Sequence, residues 1–74
     1  MARKKNPIRE LRGFLELNQA EMAAALNVFQ SQVSAWERGE RAMLAETALR
    51  IWDRFRKPLL ALGFALEDLV RLGR

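Results

Sequence analysis

The sequence contains no cysteine, no histidine and no tyrosine. Without cysteine no disulfide can staple a small domain, and without cysteine or histidine the usual zinc ligands are missing. The same inventory removes the common nucleophile–base pairs. No glycine-rich phosphate loop and no metal-ligand spacing takes their place, so an enzyme is not expected and no cofactor is implied. Long apolar runs are absent too. Nothing approaches the roughly 18 apolar residues of a membrane span, and the N-terminus carries no apolar stretch of signal-peptide type. The expectation is a soluble, cytoplasmic protein with no membrane contact. Alternating apolar and polar positions, the mark of a half-buried strand, do not occur. A further absence is local: between Gly13 and Glu37 there is neither lysine nor arginine, although the chain carries 13 of them and a formal net charge of +4.

What is present bounds the answer further. Half of the 74 residues are apolar, too many for a disordered chain and enough for one domain. A domain of this size buries only about 60 % of the surface its unfolded chain exposes. Helix packing and self-association are the remaining sources of stability. Arg3, Lys4, Lys5, Arg9 and Arg12 load one flank, and a second basic group begins at Arg38. A pI near 10.7 points to a polyanionic partner. A non-specific nucleic-acid binder would spread its cations along the chain; here an amide-rich centre sits between basic flanks.

Residues 1–5 read as a basic flexible arm and residues 6–74 as a single domain. Asn6-Pro7 is a helix start, with Asn as N-cap and Pro where a missing N–H costs nothing. Ile8, Leu11 and Leu15 then share one face of a helix ending near Glu16. Asn18 opens a second helix over about 19–25, and Glu21 is spaced to close a capping box, with Leu17 and Met22 placed as a hydrophobic staple. Asn27 is the turn residue, being tolerant of positive φ. A third helix is expected from about Gln30 to Arg38, burying Val33 and Trp36, with Gly39 as its left-handed stop. A fourth, about Leu44 to Arg56, carries Ala45, Ala48, Trp52 and Phe55 on one face. Pro58 either drives Lys57 out of helical geometry or kinks the helix there. Beyond the break at Gly63, Leu66-Glu67-Asp68-Leu69-Val70 reads as a last short helix. The fold class is all-α.

From Gln19 to Arg38, Ala23 allows close approach of two helices, Asn27 makes the turn, and Met22, Leu26, Val28, Val33 and Trp36 fill the wedge between them. This segment resembles the phage repressor and Cro group, the Xre family of helix-turn-helix regulators. Ile8 to Arg12 resembles the family's first helix, Glu37 to Arg41 the loop after its recognition helix, and Glu46-Thr47 with Leu49 and Ile51 its fourth. The resemblance covers about residues 7–55. It implies a lambda-repressor-like compact bundle of about five helices, binding double-stranded DNA.

The resemblance also implies roles. Gln19 matches a phosphate-gripping glutamine. Gln30, Ser31 and Ser34 match positions that face base edges, and Gln32 one that points toward a phosphate. Arg12 and Glu37 match a structural ion pair. Arg38, Arg41 and the arm residues Arg3, Lys4 and Lys5 are the expected backbone contacts. Three positions depart from the family pattern. Phe29 stands where Ser or Thr caps the third helix, Glu16 where glycine ends the first, and Leu44 where the fourth is capped.

Each of these has a plainer reading. Arg12 and Glu37 can be solvated surface charges, the arm a solubilising tail, and the Gln/Ser positions an ordinary polar face. Exposed helix faces more often carry Lys and Glu, which favours the recognition surface. The leucine-rich tail can cap the core or join two subunits. A dimer interface is expected from Trp52, Phe55, Leu59, Leu62, Phe64, Leu66, Leu69 and Val70. The resulting expectation is a homodimeric transcriptional repressor on a palindromic operator, Cro-like or an operon autorepressor of a phage or mobile element. The rival is an antitoxin-type module that neutralises a toxin partner; no long toxin-wrapping segment is expected beyond the tail.

Overall fold

Why the chain turns where it does is settled largely by four residues in left-handed backbone geometry. In the computed structural model, which describes residues 5–73, Glu16, Asn27, Gly39 and Gly63 all have positive φ. Each follows a helix and lets the chain fold its last N–H groups back onto that helix's open carbonyls. After α1 (Pro7–Phe14), Glu16 N–H donates to Gly13 O at 3.1 Å and Leu17 N–H to Arg12 O at 3.1 Å. After α2 (Gln19–Leu26), Val28 N–H donates to Ala23 O at 3.0 Å. After α3 (Gln30–Glu37), Glu40 N–H donates to Ala35 O at 2.9 Å. After α4 (Ala45–Ala61), Phe64 N–H donates to Leu59 O at 2.9 Å. These are paired C-terminal closures of the Schellman kind. A short α5 (Leu66–Val70) follows.

The architecture is therefore all-α, five helices among the described residues with no strand. α2 packs most closely on α3, α4 on α5, and α1 lies against α3, α4 and α5. The core draws on every helix: Ile8 and Leu11, Met22 and Leu26, Val33 and Trp36, Ala48, Ile51 and Leu59, and Leu69. Three residues outside the helices, Met43, Phe64 and Leu72, complete it. No helix among the described residues is long and apolar enough to cross a membrane.

α4 departs from the sequence expectation in two ways. It does not stop near Arg56, and Lys57 is not driven out of helical geometry. The break falls earlier, at Phe55 (φ −119, ψ 26), and a second helical stretch continues to Ala61. Pro58 then sits in the first turn of that stretch, where an N–H has no intrahelical partner to lose. The buried stripe is also rotated. Ala48, Ile51 and Leu59 face inward, whereas Ala45 and Leu49 are exposed and Trp52 and Phe55 half-buried.

Candidate nucleic-acid interface

α2 begins on a closed capping box. Asn18 Oδ1 accepts from Glu21 N–H at 2.8 Å, and Glu21 Oε1 accepts from Asn18 N–H at 2.9 Å. The N–H groups of Gln19 and Ala20 have no partner among the described residues, so this helix end keeps donors and positive dipole available for an anion. Asn27 (φ 57, ψ 49) makes the turn, and Val28 packs on the core as the chain enters α3.

α3 begins differently. The Phe29 side chain supplies no acceptor to its first turn. Instead Gln32 Oε1 accepts from Phe29 N–H at 3.0 Å, half of a capping box run in reverse. Gln30 and Ser31 are exposed, Gln32 and Ser34 half-buried, and Val33 and Trp36 enter the core. No charged side chain stands on α3 before Glu37.

Glu37 closes the arrangement from inside. Arg12 Nε donates to its Oε2 at 2.7 Å and Arg12 Nη2 to its Oε1 at 3.0 Å, a two-point contact across 25 positions of sequence. The Glu37 side chain is only 6 % exposed and that of Arg12 25 %. Arg12 Nη1 also donates to Leu17 O at 3.2 Å, joining the α1–α2 turn to the pair. Gln19 Nε2 donates to Glu37 Oε1 at 3.4 Å, leaving its second amide hydrogen for an outside acceptor. Burial pushes the Glu37 carboxyl up, but the bonds from Arg12 and Gln19 and the charges of Arg12 and Arg9 outweigh it, and its pKa is lowered. Donating to the Glu37 carboxylate raises that of Arg12. Asn6 adds a tie: its Oδ1 caps α1 at Ile8 and Arg9, while its Nδ2 donates to Trp36 O at 2.8 Å at the end of α3. Sequence reading saw only the first of these two jobs, because the second partner lies 30 positions away. Arg50 was missed as well. Its Nη2 donates to Leu26 O at 3.2 Å and holds α4 to the open end of α2.

The remaining sequence-selected residues fall as follows. Arg38 is exposed, with Nε 3.0 Å from Glu40 Oε1 and Nη1 on Ser34 Oγ; an exposed pair of this kind is worth little and is readily exchanged. Arg41 is exposed. Lys5 Nζ lies 3.9 Å from Glu10. Arg3 and Lys4 lie outside the described residues. The apolar set expected at a subunit interface divides. Leu59 and Leu69 are fully buried and Phe64 is 5 % exposed, so these three belong to the core of the single chain and are removed from that set. Trp52, Phe55, Leu62, Leu66 and Val70 are half-buried, and Leu49 and Leu60, which the sequence reading did not place there, are 53 % and 56 % exposed.

A small helix-turn-helix fold whose third helix leads with uncharged, outward-facing side chains defines a class of DNA-binding module. The family model described as helix-turn-helix matches residues 8–62, and the chain belongs to that family, the Cro/C1-type, Xre-like regulators. Sequence-specific DNA binding and transcription regulation are the family's activity. No curated protein and no solved structure matches the chain.

Proposed function

We propose that the chain is a dimeric transcriptional repressor that reads a palindromic operator with α3. The observation that carries this reading is the leading end of α3: Gln30 and Ser31 stand exposed and uncharged on a helix anchored from behind by Val33, Trp36 and the Arg12–Glu37 pair. A glutamine amide pairs bidentately with adenine N6 and N7, and serine donates to or accepts from most base edges. Ser34 lies one turn on from both. Gln19 and the first N–H groups of α2, with Gln32, Arg38, Arg41 and the arm residues Arg3, Lys4 and Lys5, then hold the phosphate backbone.

Eight residues of α3 extend about 12 Å, enough for only about four base pairs. Such a short word needs a second copy of the helix to select one site. The exposed Leu49 and Leu60 and the half-buried Trp52, Phe55, Leu62, Leu66 and Val70 offer the apolar area for that pairing. Selection of bound sequences from a random DNA pool tests the reading. A palindromic motif with half-sites about one DNA turn, 34 Å, apart is expected. An isolated half-site would remove the dimer, and no enriched motif would remove the operator.

A further inference from the structure

Phe29 breaks two local rules at once. It occupies the N-cap of α3, where an oxygen-bearing side chain is favoured, and it contributes no cap hydrogen bond. It is also the most exposed large apolar side chain of the described residues, at 78 %. Packing does not account for it, since the core is complete without it. Local rules are broken most often where a function needs the residue.

Its backbone, by contrast, is held firmly. Phe29 N–H is bonded to Gln32 Oε1 at 3.0 Å, and its carbonyl accepts from Gln32 N–H at 3.0 Å and Val33 N–H at 3.3 Å. The exposed ring therefore stands on a fixed root at the tip of α3, directly before Gln30. Phe29 is in extended geometry (φ −80, ψ 148), where the chain advances about 3.3 Å per residue, close to the about 3.4 Å step between stacked bases. A side chain beside the one that reads an adenine thus meets an adjacent base pair. A phenyl ring can neither donate nor accept a hydrogen bond to a base edge or a phosphate. On the major-groove edges of the bases the one apolar feature is the C5-methyl of thymine.

We infer that Phe29 is a specificity-determining residue that packs on a thymine methyl in the major groove, next to the base pair read by Gln30. The inference rests on α3 being the reading helix, and its test separates the two. The selected operator is prepared with each thymine replaced in turn by deoxyuridine, which removes the methyl and leaves every hydrogen-bonding group in place. Wild-type protein, Phe29→Ser and Gln30→Ala are titrated against each site. At one thymine per half-site the wild type loses about fourfold in affinity, the worth of one buried methyl, and Phe29→Ser shows no loss there. Phe29→Ser melts no lower than the wild type, because serine restores a cap, so a failed fold does not enter the comparison. Wild-type indifference to every deoxyuridine, a loss that persists in Phe29→Ser, or a selected site without thymine overturns the inference. If Gln30→Ala still weakens the cognate site in those cases, α3 remains the reading helix and only Phe29 falls. If Gln30→Ala is silent while the methyl effect vanishes with Phe29→Ser, the inference stands and the role of Gln30 falls.

Discussion

Glu16 has φ 56 and closes α1 in the position where a side chain with a Cβ is least at ease. For an L-residue the left-handed conformation costs about 1–2 kcal/mol, part of which glycine gives back through its larger unfolded-state entropy. Glu16 is exposed, so its side chain holds nothing in the core. Glu16→Gly is expected to stabilise the fold by about 0.5–1 kcal/mol, a melting temperature higher by a few degrees. A thermal melt that is unchanged or lower would show that the closure carries no strain. Leu44 presents the same opportunity at the other end of a helix. It is the N-cap of α4 with no side-chain hydrogen bond, and it is 71 % exposed, so Leu44→Ser is expected to add about 1 kcal/mol by supplying the missing acceptor. Denaturant titration checks this, with a higher midpoint and an unchanged slope as the expected result.

At the scale of elements, the pair Arg12–Glu37 fixes α3 against α1 and the α1–α2 turn. With Glu37 almost wholly buried and Arg12 a quarter exposed, removing one partner strands the other. Glu37→Ala should cost about 3 kcal/mol, a large share of what so small a domain possesses. A shift of only a degree or two in melting would mean the charges are solvated. The pH dependence follows from the lowered Glu37 pKa. The unfolded chain takes up the proton first, near the ordinary glutamate value of about 4.3, so the stabilisation is complete above that pH. It is lost as pH falls through the lower folded-state value. Wild type and Glu37→Gln should therefore converge in melting temperature only in acid, below about pH 4.

The same elements show what the residues alone disclose. Helix starts at Asn6 and Asn18 and the turn at Asn27 were legible, because a single side chain with one physical task announces each. The course of α4 was open between two outcomes, since a proline ends a helix or begins a new stretch according to where the preceding break falls, here at Phe55. Met43 is fully buried from a loop without periodicity, which no spacing pattern marks. The leucine-rich tail could not be divided into core and surface from spacing, because short helices on either side of Gly63 reset the phase. In the candidate site, the outward run of Gln30 and Ser31 was visible as an uncharged polar pattern. The bonds that lock it in place, Asn6 to Trp36 and Arg50 to Leu26, are tertiary and leave no local trace.

At the scale of the molecule, the chain carries a single reading helix, α3, so placing reading helices in successive major grooves one DNA turn apart takes two copies. A dimer neutralising about six phosphates should lose affinity with a slope of log K against log salt near −5. Deleting residues 1–5 should flatten that slope while the preferred sequence stays the same, and an unchanged slope would show that the arm makes no phosphate contact. Leu60→Glu should convert the dimer to monomer in sedimentation without lowering the melting temperature of the isolated chain, because Leu60 lies outside the core.

The central claim is that α3 reads bases with Gln30, and one comparison tests it most directly: the affinities of wild type and Gln30→Ala for the selected operator and for random DNA. Loss of a bidentate contact to adenine is worth about 1–3 kcal/mol per half-site. The account predicts that much weakening on the operator, little change on random DNA, and an intact fold, since exchanging an exposed glutamine for alanine slightly favours the helix. Equal losses on both DNAs would place Gln30 on the backbone, and no loss on either would contradict Gln30 as a base-reading residue.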